Sequence, residues 1–206
     1  MKATRSIFQS DWQGKTMQQI DELMAQMPIA GEIDQINWQE YPKAPNTTFV
    51  VAHTETMMYV RFDVRGEMPV NVHTQDQEHV NEDACVEFFI GNAENTRYWN
   101  FEFNSDGVCY ASSRISRSEG IVRFDADVMQ EIKRYPAQLS ADHWTLLVAI
   151  PIQLIELDLS RERARRANLY KCGDNTPMPH YASWNAIQAE KPNFHLPEFF
   201  GELQFS

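Results

Sequence analysis

From residue 47 the chain is written in short runs that alternate apolar and polar positions: TFVVAH, MMYVRFDV, ACVEFFI, YWNFEFN, VCYASS and, later, WTLLVAIP. Alternation of period two sends successive side chains to opposite faces of a strand, and the stretches RGEMP, GNAEN and NSDG between the runs are turn formers. Strands this short, without helical periods between them, predict an all-β fold, an antiparallel β-sandwich with minor helical turns. From Ala167 onward two or three more strands are expected, with the Pro- and aromatic-rich loop KPNFHLPEFFG as a cap over one end of the core. One earlier segment has a different period. In TMQQIDELMAQM, residues 16–27, Met17, Ile20, Leu23, Met24 and Met27 follow helical spacing, Thr16 and Gln19 form a capping-box pair, and Pro28 stops the run. Residues 1–35 therefore read as a short helical extension packed on a single domain spanning 1–206.

Composition narrows the partners. A 206-residue chain that is 43% hydrophobic suits one sizeable core. A formal charge of −11 argues against nucleic acid or an anionic membrane, because phosphate recognition needs clustered Lys and Arg. RERARR at 161–166 is the one basic run legible in the sequence, and it reads as a solvated face. Cys85, Cys109 and Cys172 lack metal-site spacing and read as small core residues. His53, at the end of an apolar run, reads as a satisfied core or edge residue. No window approaches the roughly 18 apolar residues of a membrane span, and the N-terminus has no signal-peptide pattern. As the sequence stands the expected location is the cytoplasm, or the periplasm or exterior if an export signal has been removed.

The chemistry concentrates on one face. In YWNFEFN, Trp99, Phe101 and Phe103 share a core face, while Tyr98, Asn100, Glu102 and Asn104 share the other. ACVEFFI places Val86, Phe88 and Ile90 on one side and Cys85, Glu87 and Phe89 on the other. A hairpin centred between Glu94 and Asn95 pairs Glu87 with Glu102 and Cys85 with Asn104. Facing carboxylates need a partner, whether a cation, a proton, an Arg or a ligand. Arg61, which shares a face with Tyr59 and Asp63, is one candidate to neutralise them. A saccharide site, with carboxylates and amides bonding hydroxyls beside a stacking ring, is another reading. A glycosidase pair is the third. The oxygen-rich segment HTQDQEHVNED, 73–83, reads first as a solvated loop and second as a calcium loop. Elbow, P-loop, dinucleotide and HExxH motifs are all missing.

The stretches INWQEYPKAPNTTFVVAHT, VNEDACVEFFI, YWNFEFNSDG, RANLYKCGD, YASWNAI and KPNFHLPEFFGELQF, taken together over about residues 36–206, resemble the carbohydrate-binding domains of the family 9 type. The resemblance implies a β-sandwich that binds saccharides without catalysing their hydrolysis, with structural calcium allowed and no other cofactor. It also implies Asp83 and Glu87 at the family's acidic positions and Trp184 as a sugar platform. Asn81 stands where the family has its other aromatic contact, so a weaker or different ligand is expected, with Tyr98, Trp99 or Trp38 as substitutes. The resulting expectation is a site of Trp184, Glu87, Glu102, Asn104, Tyr98 and Asn81, with Arg61 supporting the carboxylates. A glycoside hydrolase using Glu87 and Glu102, or a scaffold with a decayed sugar site, are the alternatives, and the oligomeric state is open.

Overall fold

A computed structural model describes all residues, 1–206. Thirteen strands follow in order: β1 Ala3–Phe8, β2 Gly31–Glu32, β3 Asn46–His53, β4 Met57–Arg65, β5 Cys85–Gly91, β6 Tyr98–Asn104 and β7 Cys109–Arg114. They continue as β8 Val122–Arg123, β9 Lys133–Ser140, β10 His143–Pro151, β11 Ala164–Cys172, β12 Tyr181–Ser183 and β13 Gly201–Phe205. The order β8-β7-β6-β5-β11-β13-β1-β3-β4-β10-β9 runs through one sheet curled into a sandwich, with β12 on β11 and β2 on β3. Pairing is antiparallel except at β1, which lies parallel to both β13 and β3. The expected sandwich is present, as a mixed rather than purely antiparallel sheet. No helix is long and apolar enough to cross a membrane.

Each expected run is a strand, and the β5–β6 register is the one deduced from the turn. Glu87 opposes Glu102 and Cys85 opposes Asn104. Asn95 at the hairpin tip has φ 54°, a left-handed conformation that Asn tolerates well. Three further features lay outside the sequence expectation. The first is β1: the N-terminal residues are not only a helical extension, since Ala3–Phe8 joins the two halves of the sheet. The second is β9, whose Pro136 breaks the usual strand signal and is tolerated because β9 is an edge. The third is α1, Met17–Met24, a turn shorter than its apolar period suggested. Its capping box is formed, with Gln19 N–H donating to Thr16 Oγ1 and Thr16 N–H donating to Gln19 Oε1.

Three apolar clusters fill the layers. The main one lies between the sheets and includes Trp99, Phe101, Phe103, Val86, Phe88 and Ile90, as alternation required. A second, with Phe89, Tyr98, Tyr170, Phe194 and Phe200, lies on the outer face of the β5–β6–β11 sheet beneath the C-terminal loop. A third, under α1, covers the outer face of β3, β4 and β10.

Trp184 belongs to the first cluster, which corrects its expected role as a platform. Ala182 and Trp184 point inward while Tyr181, one residue out of phase, points outward. The Trp184 ring is 2% exposed and meets Phe49 edge-on at 5.8 Å. Gly201 makes room for it, because a Cβ there would lie 2.5 Å from Trp184 Cζ3. Trp184→Ala is expected to lower folding stability by about 3–5 kcal/mol in urea unfolding, as for other buried aromatic truncations. A change under about 1 kcal/mol would show that the ring is not part of the core.

Candidate functional site

The outer face of the β7–β6–β5–β11 sheet is polar where the C-terminal loop leaves it uncovered. One cross-strand row runs Tyr170, Glu87, Glu102, Tyr110, each directly opposite the next. Above it opens a cleft of about 390 Å³, in the range of small-molecule sites. Its floor is Glu87, Glu102 and Cys172. Arg114, Arg117 and Arg123 stand with Tyr110 at the β7–β8 end, and Tyr181, Phe194 and Asp174 lie toward β11 and β12. Asn81, Asn193, His79 and His195 also line it.

Of the expected site residues, the structure brings Glu87, Glu102 and Asn81 together at the cleft. Asn81 Nδ2 donates to Asp174 Oδ2 at 3.0 Å, so this side chain serves as a hydrogen-bonding wall where a stacking ring was the family pattern. Arg61 is elsewhere. Its face-sharing with Tyr59 and Asp63 is correct, but β4 belongs to the opposite half of the sandwich, where Arg61 Nε pairs with Asp21 Oδ1 of α1 at 2.7 Å. Asn104 is fully engaged in a loop: Nδ2 donates to the His73 carbonyl and Asp83, and Oδ1 accepts from the Asp106 and Val108 N–H groups. Tyr98 is buried behind the cleft, its hydroxyl 3.0 Å from His195 Nδ1. Trp38 and Trp99 are buried too, so neither substitutes for a platform ring.

The carboxylates of 73–83 are turned onto donors of their own chain. Asp76 takes Arg134, Glu78 takes the Thr74 and Gln75 N–H groups, and Asp83 takes those of Val72 and His73. These oxygens close the loop and are not gathered into a cation cage. The RERARR run also differs from its expected solvated face, since Arg165 is buried and bonds Glu162 and the Ile155 carbonyl.

Sequence reasoning missed the residues that surround the glutamates. Arg114, on the outward face of β7, is the cation that Arg61 was expected to be. Its Nε donates to Asn100 Oδ1 at 3.0 Å and its Nη2 to the Tyr110 hydroxyl at 2.9 Å. Asn100 Nδ2 in turn donates to Glu102 Oε1 at 2.8 Å. The signal available in the sequence was parity: Tyr110, Ser112 and Arg114 alternate, and so do Tyr170 and Cys172 on β11. Cys172 Sγ donates to Glu87 Oε1 at 3.2 Å, and the ligating atoms of Cys85, Glu87 and Cys172 all lie within 4.8 Å of one another. This is the one group with soft donors. Burial pushes the Cys85 thiol up to about 12 and the Cys172 thiol is also pushed up, beside Cys85 and by burial, so a metal ion here would have to displace bound protons.

Burial controls the glutamates as well. It drives Glu87 well above the ordinary carboxylate range, with the neighbouring Glu102 charge adding to it. It raises Glu102 from 4.5 to about 7, with Arg114 and the Asn100 amide opposing. Asp174 is raised by burial too, and His195 is held neutral, down to about 3, by burial and by Arg114 and Arg117. At neutral pH the floor therefore carries protonated as well as ionised carboxyl groups and can donate and accept hydrogen bonds.

A β-sandwich carrying an open polar cleft on the outer face of one sheet, flanked by aromatic rings, is the layout of a ligand-binding module. The chain belongs to carbohydrate-binding family 9, whose family model matches residues 18–205. A candidate carbohydrate-binding protein from Bacteroides uniformis is similar in structure at TM-score 0.89 and 29% identity, covering 100% of this chain and 99% of that one. A carbohydrate-binding module of family 9 from Caldicellulosiruptor kristjanssonii in complex with glucose matches at TM-score 0.65 and 11% identity, over 100% of this chain and 96% of that one. One from the same organism in complex with cellotriose matches at TM-score 0.68 and 10% identity, over 99% and 93%. A comparison with curated proteins finds no match.

A carboxyl that is harder to ionise in the folded chain leaves the folded state holding the extra proton, so its contribution to stability is fully present below about pH 4.5 and is lost as the pH rises through about 7. Glu102→Gln should therefore be more stable than the parent by on the order of 2–3 kcal/mol at pH 8, with the difference shrinking toward pH 5, in urea unfolding at both pH values. A pH-independent difference would place the titration elsewhere. All three thiols, which are free and buried, should react with an aromatic disulfide reagent only on unfolding. Fast labelling of native protein would contradict their burial.

Proposed function

We propose that the cleft binds a saccharide and holds it without cleaving it. The observation that carries this reading is the cross-strand row Glu87–Glu102 at the base of an open cleft, in a chain of a carbohydrate-binding family. Carboxyl groups of mixed protonation, together with Asn81, Asn193 and Asp174, supply both donors and acceptors for sugar hydroxyls. Tyr181 and Phe194 supply the apolar surface for a pyranose C–H face. Phe194 is backed by Tyr170, stacked at 4.2 Å and 8°, which fixes the ring's orientation before any ligand arrives.

Hydrolysis is the less favoured reading for a geometric reason. A glycosidase places its two carboxyl groups to flank the scissile bond. Here both rise from adjacent strands on the same floor, and each is tied to a neighbour, Glu87 to the Cys172 thiol and Glu102 to the Asn100 amide.

Calorimetry against glucose, cello-oligosaccharides and a wider saccharide panel tests the proposal. Tryptophan emission would be a poor reporter, since all five Trp side chains are buried. Tyr181→Ala should raise Kd about five-fold or more, the loss of roughly 1 kcal/mol of ring contact. No heat with any saccharide, or an unchanged Kd in that variant, would count against the site as described. Turnover of chromogenic glycosides that disappears in Glu87→Gln would instead favour the hydrolase.

A further inference from the structure

The cleft is the electrostatic exception in an acidic protein. Against a formal charge of −11, three arginines converge on one end of it. Arg61, Arg65, Arg134, Arg161 and Arg165 have a carboxylate within 4.0 Å; Arg5, Arg97, Arg163 and Arg166 have none but are dispersed, whereas Arg114, Arg117 and Arg123 have none and are gathered at one cleft. Arg114 is held by neutral partners: Asn100, Ser112, the Tyr110 hydroxyl and the Arg117 carbonyl. The Arg123 guanidinium lies 5.1 Å over the Tyr110 ring and that of Arg114 lies 5.6 Å from it. Arg117 and Arg123 are exposed at the cleft's edge, without a side-chain hydrogen bond to the protein. Three like charges gathered in this way repel one another, and an incoming anion relieves that repulsion.

Resting on the saccharide-binding reading above, we infer that the preferred ligand is an acidic saccharide, whose anionic group pairs with Arg117 and Arg123 while its hydroxyls face Glu87, Glu102 and Asp174. A guanidinium fork matches a carboxylate, as in a uronic acid, and also a sulfate or phosphate ester. The three acidic side chains of the cleft, Glu87, Glu102 and Asp174, would oppose an anion if fully ionised. Burial holds them back from that state, Glu87 stands two strands from β7, and Glu102 and Asp174 lie near enough to Arg114 and Arg117 for those charges to offset their own. Tyr110, Cys172, Tyr181, His79 and His195 are the remaining titratable groups of the lining; the Cys172 thiol and Tyr181 hydroxyl keep their protons and His195 stays neutral.

Calorimetry with matched pairs tests this: methyl glucuronide against methyl glucoside, the corresponding disaccharides, and glucose 6-sulfate and 6-phosphate as separate arms. The acidic member of a pair should bind at least ten-fold more tightly in 50 mM NaCl, with the preference shrinking in 500 mM NaCl. The arm with the largest preference identifies the anionic group. In the double variant Arg117→Gln, Arg123→Gln the acid-to-neutral affinity ratio should fall toward one, and Arg→Lys at both positions should keep part of it. Both side chains are exposed, so an unchanged melting temperature verifies the fold. Equal or tighter binding of the neutral member, or a ratio untouched by the double variant, overturns the inference while leaving a saccharide site standing. Absence of binding by every member, acidic and neutral, overturns both.

Discussion

Two carboxyl groups placed directly opposite each other at the base of a cleft on the outer face of a sheet set the terms for everything around them. Side chains so paired are about 5 Å apart, where two full charges repel by roughly 3 kcal/mol at an effective dielectric constant of 20. Desolvation adds to that cost. The structure answers with protons and dipoles: the Cys172 thiol on Glu87, the Asn100 amide on Glu102, and Arg114 reaching Asn100 from the next strand. The result is a floor whose hydrogen-bonding capacity is fixed in place before a ligand arrives, which reduces the ordering cost of binding.

The rim is held by a second buried polar group. Lys171 Nζ, fully buried on the core side of β11, bonds Glu67 at 3.0 Å, the Cys172 carbonyl and His180 Nε2. Burial and the Lys171 charge keep His180 neutral, down to about 4, so it accepts from the ammonium group. This cluster ties the end of β4 to the segment that carries Asp174. A buried ion pair of this kind contributes little net stability against an apolar replacement. What it supplies here is position, because it sets where the residues after Cys172 leave the sheet.

Much of the fold was legible because β-structure writes its faces into alternate residues. Trp99, Phe101 and Phe103 on one side and Glu102 on the other followed from period two, and the Glu87–Glu102 register followed from one turn. The same rule, extended one residue past β12, would have separated Tyr181 from Trp184. Alternation does not state which half of a sandwich a strand joins, and that is why Arg61 was assigned to the wrong face. Arg114, Arg117 and Arg123 are likewise invisible as a cluster in RISRSEGIVRF, since only the turn between β7 and β8 brings them to one end of the cleft. The aromatic wall was legible as composition in KPNFHLPEFFG, whereas its geometry depends on Tyr170, which comes from another part of the chain.

The placement of β1 has a kinetic consequence. Ala3 pairs with Glu202 and Ser6 with Phe205, so β1 finds its main partner only after every other strand of the sheet has been synthesised. Such pairings raise contact order and slow folding, because a long loop must close before the contact gives anything back. Until then β1 and β11 would each present an open edge, the form in which strands associate with the wrong neighbour. The junction that closes the sheet is thus also the step at which an incomplete chain is most exposed to aggregation.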